Sequence, residues 1–185
     1  MRVISGKYKG IKLEGFDING TRPTMDRVKE SMFAMIQDKI KDSVCLDLFA
    51  GSGSLGIEAI SNGASICYFV DNGKQITKIL NTNLLKIHSD YKLIIDDYKN
   101  ALKKFKDEKV NFDLIFLDPP YKENLINDVL KFIYVNNLLK DNGLIICEYE
   151  GEIINFENYN LIKHKKYGTK HISIFSKYKI YFFIL

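Results

Sequence analysis

The sequence has 185 residues, of which 46% are apolar and 27% charged, and its formal net charge at pH 7 is +4. A chain of this length and composition can bury its own hydrophobic core, which excludes the disordered and fibrous classes of protein. The small positive charge permits a nucleic-acid partner but does not require one. Because the sequence shows neither a signal-peptide core nor a run approaching about 18 apolar residues, we expect a cytoplasmic protein without a membrane span.

Cysteine and histidine are too scattered to indicate a metal site or a disulfide framework. Cys45, Cys67 and Cys147 lie in three separate apolar runs without C-x-x-C spacing, and the three histidines are equally dispersed. This spacing is typical of buried, reduced thiols. We therefore predict no metal site.

The first twenty residues predict a small extension in front of the main fold. Residues 2–14 alternate apolar and basic side chains around glycines, a pattern that predicts a β-hairpin. Its three lysines, Lys7, Lys9 and Lys12, either contact an anionic partner or lie on a solvated edge.

An amphipathic helix is predicted after this extension. Pro23 fixes the backbone at its start, Thr24 is a suitable N-cap, and apolar residues then recur at three- and four-residue steps. Arg22 and Arg27 flank the helix start, where a cationic pair can bind a carboxylate or a phosphate. Two ordinary surface arginines are the alternative interpretation.

Residues 43–56 predict a strand, a glycine-rich turn and the start of a helix. Apolar residues cluster in SVCLDLF without helical spacing, AGSG breaks the chain, and a helical pattern follows. Glycines let the backbone approach a ligand, and the free N–H groups of a helix start favour negative charge. Gly51, Gly53 and Gly56 match G-x-G-x-x-G, with Asp71 at the distance of a ribose-binding acid. The turn therefore predicts a nucleotide-type pocket, with a plain tight turn as the alternative.

Predicted strands and helices alternate after this turn. The strands are predicted at 64–71, 91–96, 112–118 and 144–150, the helices at 74–88, 98–105 and 124–134, and a turn at 140–143. Crossover connections of this kind give a mostly parallel sheet covered on both faces. Two alternating runs around residues 167–169 predict a C-terminal antiparallel hairpin. We predict one α/β domain, residues 1–185, with the N-terminal β-hairpin extension at 1–20 and the core at 43–178.

Four acidic residues stand at or near the carboxyl ends of successive predicted strands, namely Asp47, Asp71, Asp97 and Asp118. Ligands of an open α/β sheet bind in the crevice beyond those ends, so the four carboxylates should converge on one pocket. A carboxylate there can accept the two hydrogen bonds of a ribose diol, or bind an exocyclic amine.

The most specific motif of the sequence is D-P-P-Y, formed by Asp118, Pro119, Pro120 and Tyr121. Consecutive prolines stiffen the loop and leave its carbonyls as acceptors. A rigid group of acceptors beside an aromatic ring suits a flat base that bears an NH₂ group. The motif therefore predicts that Asp118 and the Pro119 carbonyl bind the amine while Tyr121 stacks on the base.

The segments RVISGKYKGIKL, RPTMDRVKE, DLFAGSGSLGIEA and DPPY together resemble the RsmD family over residues 2–178. Members of that family are bacterial methyltransferases that act on N2 of one guanine in the small-subunit (16S) ribosomal RNA. The resemblance implies a class I, Rossmann-like methyltransferase fold with S-adenosylmethionine as the cofactor.

The resemblance also implies roles for the matched cofactor positions. The turn around the methionine part of the cofactor would consist of Asp47, Phe49, Gly51, Ser52 and Gly53. The ribose hydroxyls would bind Asp71, and the adenine would lie at Asp97 and Tyr98. Beside the cofactor and the RNA entrance would lie Arg22, Thr24 and Arg27.

The expected partner is 16S ribosomal RNA, in an assembled or partly assembled small subunit, with the protein acting as a monomer. Its phosphates would contact Lys7, Lys9, Lys12, Arg22 and Arg27. Three other functions are consistent with parts of the pattern. An adenine-N6 methyltransferase shares D-P-P-Y, a dinucleotide-dependent oxidoreductase shares the glycine turn, and a non-catalytic RNA-binding assembly protein could keep the same fold.

Overall fold

The computed structural model describes residues 1–15, 22–119, 125–152 and 156–178, without the side chains of residues 22–25. The helices within these ranges are α1 (Arg22–Ile36), α2 (Ser54–Ser61), α3 (Lys74–Leu84), α4 (Tyr98–Asp107) and α5 (Leu125–Val135). The strands are β1 (Val44–Asp47), β2 (Ile66–Asp71), β3 (Tyr91–Ile95), β4 (Phe112–Leu117), β5 (Leu139–Glu150), β6 (Tyr159–Tyr167) and β7 (Lys170–Lys177). No helix among the described residues is long and apolar enough to cross a bilayer.

The described strands form one sheet in the order β3-β2-β1-β4-β5-β7-β6. Strands β1 to β5 run parallel to one another, whereas β7 is antiparallel to both β5 and β6. This arrangement confirms the predicted mostly parallel α/β sheet with a C-terminal antiparallel hairpin. The strand order reverses between β1 and β4, so a crevice opens at the carboxyl ends of these two strands.

Helices cover both faces of the sheet. On one face, Met32 of α1 and Leu80 of α3 belong to the same buried cluster as Phe116 of β4. On the other face, Leu130 of α5 belongs to a second cluster with Ile115. The three cysteines are buried free thiols within these layers, as the sequence predicted.

The predicted N-terminal β-hairpin is present only as a short antiparallel pairing of the two ends of the segment. Arg2 and Lys12 form one isolated antiparallel bridge, the Val3 N–H donates to the Ile11 carbonyl over 3.0 Å, and the Leu13 N–H donates to the Met1 carbonyl over 3.1 Å. Turns occupy much of the segment between these ends. The turn between the paired ends also contacts the helical layer, since the Lys7 N–H donates to the carbonyl of Ser61, at the end of α2, over 2.7 Å. The segment therefore combines a short pairing of its own with packing on α2.

Two further local predictions differ from the structure. Thr24 is not an N-cap, because α1 begins at Arg22 and so includes Pro23, which is tolerated in a first turn. The residues 140–143 do not form a turn but lie within β5, beside a register shift between Phe112 and Leu114. Such a bulge absorbs turn-forming residues within a continuous strand.

The N-terminal segment offers a matched pair of glycines that tests how tightly it packs. Gly6 and Gly10 both have positive φ, +76° and +89°, but a Cβ at Gly6 would lie 1.9 Å from the Ser61 carbonyl oxygen, whereas a Cβ at Gly10 would have no atom within 4 Å. Gly10→Ala should therefore cost about 1 kcal/mol of backbone strain, and Gly6→Ala should cost at least about 2 kcal/mol more. Urea unfolding of both variants measures the difference. Equal losses would show that the segment does not pack on α2 as described.

Candidate active site

The glycine-rich turn is fixed to the sheet by a buried carboxylate. Asp47, the last residue of β1, is 1% exposed, and its Oδ2 accepts the Gly56 N–H over 2.9 Å. This bond satisfies one of the free N–H groups in the first turn of α2. Burial raises the pKa of Asp47 to about 7, against the opposing effect of the Gly56 hydrogen bond. The first turn of α2 is thereby held over the end of β1.

A second carboxylate braces the turn from β2. Asp71 is partly exposed, and it accepts the Gly51 N–H through Oδ2 and the Gly73 N–H through Oδ1, both at 3.0 Å. Each oxygen has a further lone pair, so the carboxylate can still accept hydrogen bonds from a ligand.

The turn forms one wall of a cavity of about 540 Å³, a volume within the range of small-molecule sites. Residues from four parts of the fold line it: Met1 at the N-terminus; Asp26, Val28 and Lys29 on α1; Asp47, Phe49, Ala50, Gly51, Ser52, Ser54 and Leu55 at the turn; and Asp118, Glu148, Glu150, Tyr167, Gly168, Thr169 and Lys170 toward the C-terminal hairpin. The cavity thus opens at the switch point of the sheet, as the sequence predicted.

Two carboxylates lie side by side on the opposite wall of the cavity. Leu117 of β4 pairs with Cys147 of β5, so the next residues, Asp118 and Glu148, are neighbours across the parallel pair. Glu148 is 8% exposed and forms an ion pair with Lys170 on β7. Burial raises the pKa of Asp118 to about 8, the charge of Glu148 contributes to this rise, and Lys170 opposes it.

An aromatic pair lies on the β3 side of the turn. The rings of Phe49 and Tyr98 have their centroids 5.3 Å apart and are tilted by 50°. The preceding residue, Asp97, caps α4 by accepting the Lys99 N–H over 2.9 Å. Because β3 and β4 lie on opposite sides of β1, these residues and Asp118 flank the turn from opposite directions.

A buried ion pair joins the N-terminal segment to the helices beside the cavity. Glu58 on α2 is fully buried and accepts hydrogen bonds from Lys29 Nζ at 2.9 Å, the Ile4 N–H at 2.9 Å and the Ser5 N–H at 2.8 Å. Lys29 Nζ also donates to the Ser54 hydroxyl at 3.0 Å. The pair therefore fixes α1, α2 and the N-terminal segment at one point of the cavity wall.

Comparison with known proteins assigns the chain to a family. Residues 1–176 match the family model described as Conserved hypothetical protein 95. The chain is 40% identical to ribosomal RNA small subunit methyltransferase D of Haemophilus influenzae, over 91% of this chain and 89% of that protein. The chain belongs to the RsmD family. It is also 33% identical to the Escherichia coli protein of the same name, over 82% of this chain and 76% of the other.

Solved structures agree with the RsmD assignment. An Escherichia coli protein named as a methyltransferase aligns with a TM-score of 0.84 and 29% identity, covering 96% of this chain and 97% of the other. A Haemophilus influenzae protein named as a methylase aligns with a TM-score of 0.78 and 34% identity, over 96% and 98% of the two chains. The chain therefore has the class I methyltransferase fold that the sequence predicted.

The cavity of this RsmD-family chain brings together five of the predicted site residues: Asp47, Phe49, Gly51, Ser52 and Asp118. Four more lie around the same turn without being among the residues that line the cavity: Gly53, Asp71, Asp97 and Tyr98.

Pro119 is buried directly after Asp118, whereas Pro120 and Tyr121 lie outside the described residues. Arg22 and Thr24 are in the first turn of α1, and their side chains are likewise outside the description. Four predicted RNA contacts are exposed away from the cavity lining: Lys7, Lys9, Lys12 and Arg27.

Three residues of the cavity region were not predicted from the sequence, namely Lys29, Glu58 and Glu148. Glu58 and Lys29 belong to the RsmD-like segments LGIEA and DRVKE, in which each charge interrupts an apolar helix face. Glu148 similarly interrupts the apolar strand LIICEYE. A charge in an otherwise buried stretch indicates a paired or functional group, because an unpaired buried charge is too costly.

The buried ion pair should be essential for stability. Glu58→Gln keeps an acceptor for the Ile4 and Ser5 N–H groups but leaves the Lys29 charge unpaired, so it should cost about 3 to 5 kcal/mol of unfolding free energy. Glu30→Gln, which removes an exposed charge next to Lys29 on α1, should cost less than about 0.5 kcal/mol.

Urea unfolding measures these two single variants and a double variant that combines Lys29→Met with Glu58→Gln. The double variant removes both charges and should be more stable than Glu58→Gln alone. A Glu58→Gln variant as stable as Glu30→Gln would contradict the described pairing.

Proposed function

We propose that this protein transfers a methyl group from S-adenosylmethionine to the N2 amine of a guanine in 16S ribosomal RNA. The observation that carries the proposal is the position of Asp118, which lines the cavity opposite the glycine turn and is followed by the carbonyl of a buried proline. The RsmD-named relatives support ribosomal RNA methylation as the activity. The choice of guanine as the base, and of N2 as the methylated atom, goes beyond what these relatives support.

S-adenosylmethionine is the cofactor, and the residues of the cavity fit it. Its methionine part would lie against Asp47, Gly51, Ser52 and Gly53, with Phe49 beside it. The position of Gly53 favours glycine for two reasons: its φ is +80°, and a Cβ there would lie 2.6 Å from Leu80 Cδ1 in the core beneath the turn. When bound, the cofactor supplies an electrophilic methyl group on a sulfonium.

The remaining cofactor contacts come from the β2 and β3 side of the turn. Asp71 has free lone pairs for the ribose hydroxyls, in addition to the two N–H groups that it already accepts. Tyr98, whose ring packs against that of Phe49, would lie at the adenine with Asp97 beside it. Arg22 and Thr24, in the first turn of α1, would lie beside the cofactor and the RNA entrance.

Asp118 and Pro119 would activate the target amine. The nitrogen is a poor nucleophile because its lone pair is delocalised into the base. Hydrogen bonds from its two protons to the Asp118 carboxylate and the Pro119 carbonyl would orient the lone pair toward the methyl carbon and stabilise the positive charge that develops on nitrogen. Transfer would form a nitrogen–carbon bond and break the carbon–sulfur bond of the cofactor, which would leave as S-adenosylhomocysteine, and Asp118 would accept the proton released from the amine. Pro120 would stiffen the loop, and Tyr121 would stack on the base.

The RNA would approach over the basic N-terminal segment. Lys7, Lys9, Lys12 and Arg27 are exposed, and together with Arg22 they would contact phosphates, which orient RNA without reading its sequence. The substrate would be a guanine in an assembled or partly assembled small subunit, and the protein would act on it as a monomer in the cytoplasm.

Methyl transfer from labelled S-adenosylmethionine tests the proposal on three substrates: unmodified small ribosomal subunits, their free RNA and duplex DNA. Nucleoside analysis should recover the label as N2-methylguanosine from the ribosomal substrates. Label on adenine would contradict the proposal and favour an adenine-N6 methyltransferase. Cofactor binding without any transfer would favour a non-catalytic RNA-binding protein.

The raised pKa of Asp118 predicts a pH dependence of transfer. Because the ionised carboxylate is the acceptor, kcat/KM should increase with pH up to the pKa of about 8 in the free enzyme and level off above it. Asp118→Asn should reduce kcat/KM by about 100-fold or more and abolish this dependence. Asp128→Asn, at an exposed position of α5, is the control and should keep the wild-type profile. A wild-type profile in Asp118→Asn would remove this residue from the reaction.

The lysines of the N-terminal segment should set the salt dependence of RNA binding. Replacing Lys7, Lys9 and Lys12 by Gln should lower the slope of log affinity against log salt by about 2, since each lost phosphate contact on a single strand removes about 0.7. The matched control replaces three exposed lysines of α4 and α5 by Gln, namely Lys103, Lys106 and Lys131. Equal slopes for the two triple variants would contradict the proposed RNA surface.

A further inference from the structure

Glu148 has no role in the reaction described above, although it lies next to Asp118. The register of β4 and β5 makes the two residues neighbours, and the same register pairs Phe116 with Ile146 two positions earlier. Side chains alternate between the faces of a sheet, so Asp118 and Glu148 lie on the face of Phe116 and Ile146, which both belong to the cluster beneath α1 and α2. Both carboxylates line the cavity.

The partners of Glu148 leave it able to bind a ligand. Its Oε1 accepts a hydrogen bond from Lys170 Nζ, and among the described residues no other side-chain hydrogen bond reaches this carboxylate. A carboxylate has about four acceptor positions. Glu148 is 8% exposed, so a ligand that enters the cavity meets an almost desolvated carboxylate whose charge is held by a single ion pair. Electrostatic interactions are stronger in such an environment.

We propose that Glu148 is a specificity-determining residue that accepts the N1–H of the target guanine, while Asp118 and Pro119 hold its N2 amine. This inference rests on the function proposed above. In guanine, the N1–H donor is next to the N2 amine, so two adjacent donors face the same direction. In adenine, N1 is an acceptor beside the N6 amine. A carboxylate at this position therefore stabilises guanine and repels adenine.

The spacing of the two carboxylates suits two adjacent atoms of one base. Neighbouring strands lie about 4.8 Å apart, and side chains from adjacent positions can converge on N1 and N2. The charge of Glu148 already contributes to the raised pKa of Asp118, which agrees with this proximity. A site built to hydrogen-bond a donor rejects analogues that lack it, because the buried acceptor is then left unpaired. Glu148 would thus make an enzyme with a D-P-P-Y loop select the N2 amine of guanine over the N6 amine of adenine.

The experiment compares two bases at the target position, once the methylated nucleotide has been mapped with wild-type protein. RNA ligated from synthetic fragments carries either guanine or 2,6-diaminopurine there. Diaminopurine keeps the N2 amine, but its N1 is an acceptor. Transfer rates are measured for wild-type protein, Glu148→Gln and Glu152→Gln, an exposed acid just beyond β5 that serves as the control. Cofactor affinity and urea unfolding are measured for each variant.

Wild-type protein and Glu152→Gln should prefer guanine by about 10- to 100-fold, the discrimination expected of well-placed base contacts. Gln can accept from guanine N1–H through its oxygen, more weakly than a carboxylate, or donate to diaminopurine N1 through its amide. Glu148→Gln should therefore lose rate on guanine, gain rate on diaminopurine and bring the ratio close to 1.

An unchanged ratio in Glu148→Gln, or equal losses on both bases, would overturn the inference, since both are expected if Glu148 only ties β5 to β7 through Lys170. A wild-type protein without preference between the bases would overturn it as well. Absence of N2-methylguanosine in the mapping step would instead contradict the proposed function itself, so the two failures are distinguishable.

Discussion

The buried pair of Lys29 and Glu58 is the interaction on which the cavity depends. A fully buried carboxylate must be paired and hydrogen-bonded, and Glu58 meets this requirement only because α1 brings Lys29 to it and the N-terminal segment brings the Ile4 and Ser5 N–H groups. Lys29 itself lines the cavity, and Met1 does so on the segment that Glu58 holds. The pair thereby holds α1, α2 and the N-terminal segment together as one wall of the site.

The other side of the site is a set of carboxylates whose roles differ because their surroundings differ. Asp47 is buried at the end of β1, and its Oδ2 accepts the Gly56 N–H in the first turn of α2. Asp71 braces the turn but stays partly exposed. Asp118 and Glu148 face the cavity, and their mutual repulsion is reduced by Lys170. A site rich in carboxylates suits a cofactor that carries a positive sulfonium and a base that presents several N–H donors.

Much of this architecture could be predicted from the sequence, because apolar residues recur along the chain with the periods of helix and strand faces that pack on a core. Strand-length apolar runs, helical spacing and the glycine turn led to the mostly parallel sheet, and acids at strand ends led to Asp47 and Asp118. The N-terminal segment could be predicted only in part. Its alternation indicates the antiparallel pairing of its ends, but not that the Ile4 and Lys7 N–H groups donate to residues of α2 about 54 positions away. Glu148 was missed for a related reason, since its importance arises from register across β4 and β5 rather than from a local motif.

A crystal structure with S-adenosylhomocysteine, the product that remains after methyl transfer, would test the central claim most directly. The account predicts the amino-acid part of this molecule against Gly51 and Ser52, its ribose at Asp71, and its sulfur facing the Asp118 carboxylate and the Pro119 carbonyl. A molecule bound with its sulfur directed away from Asp118, or bound outside the cavity altogether, would contradict the claim that these two residues hold the methyl-accepting amine.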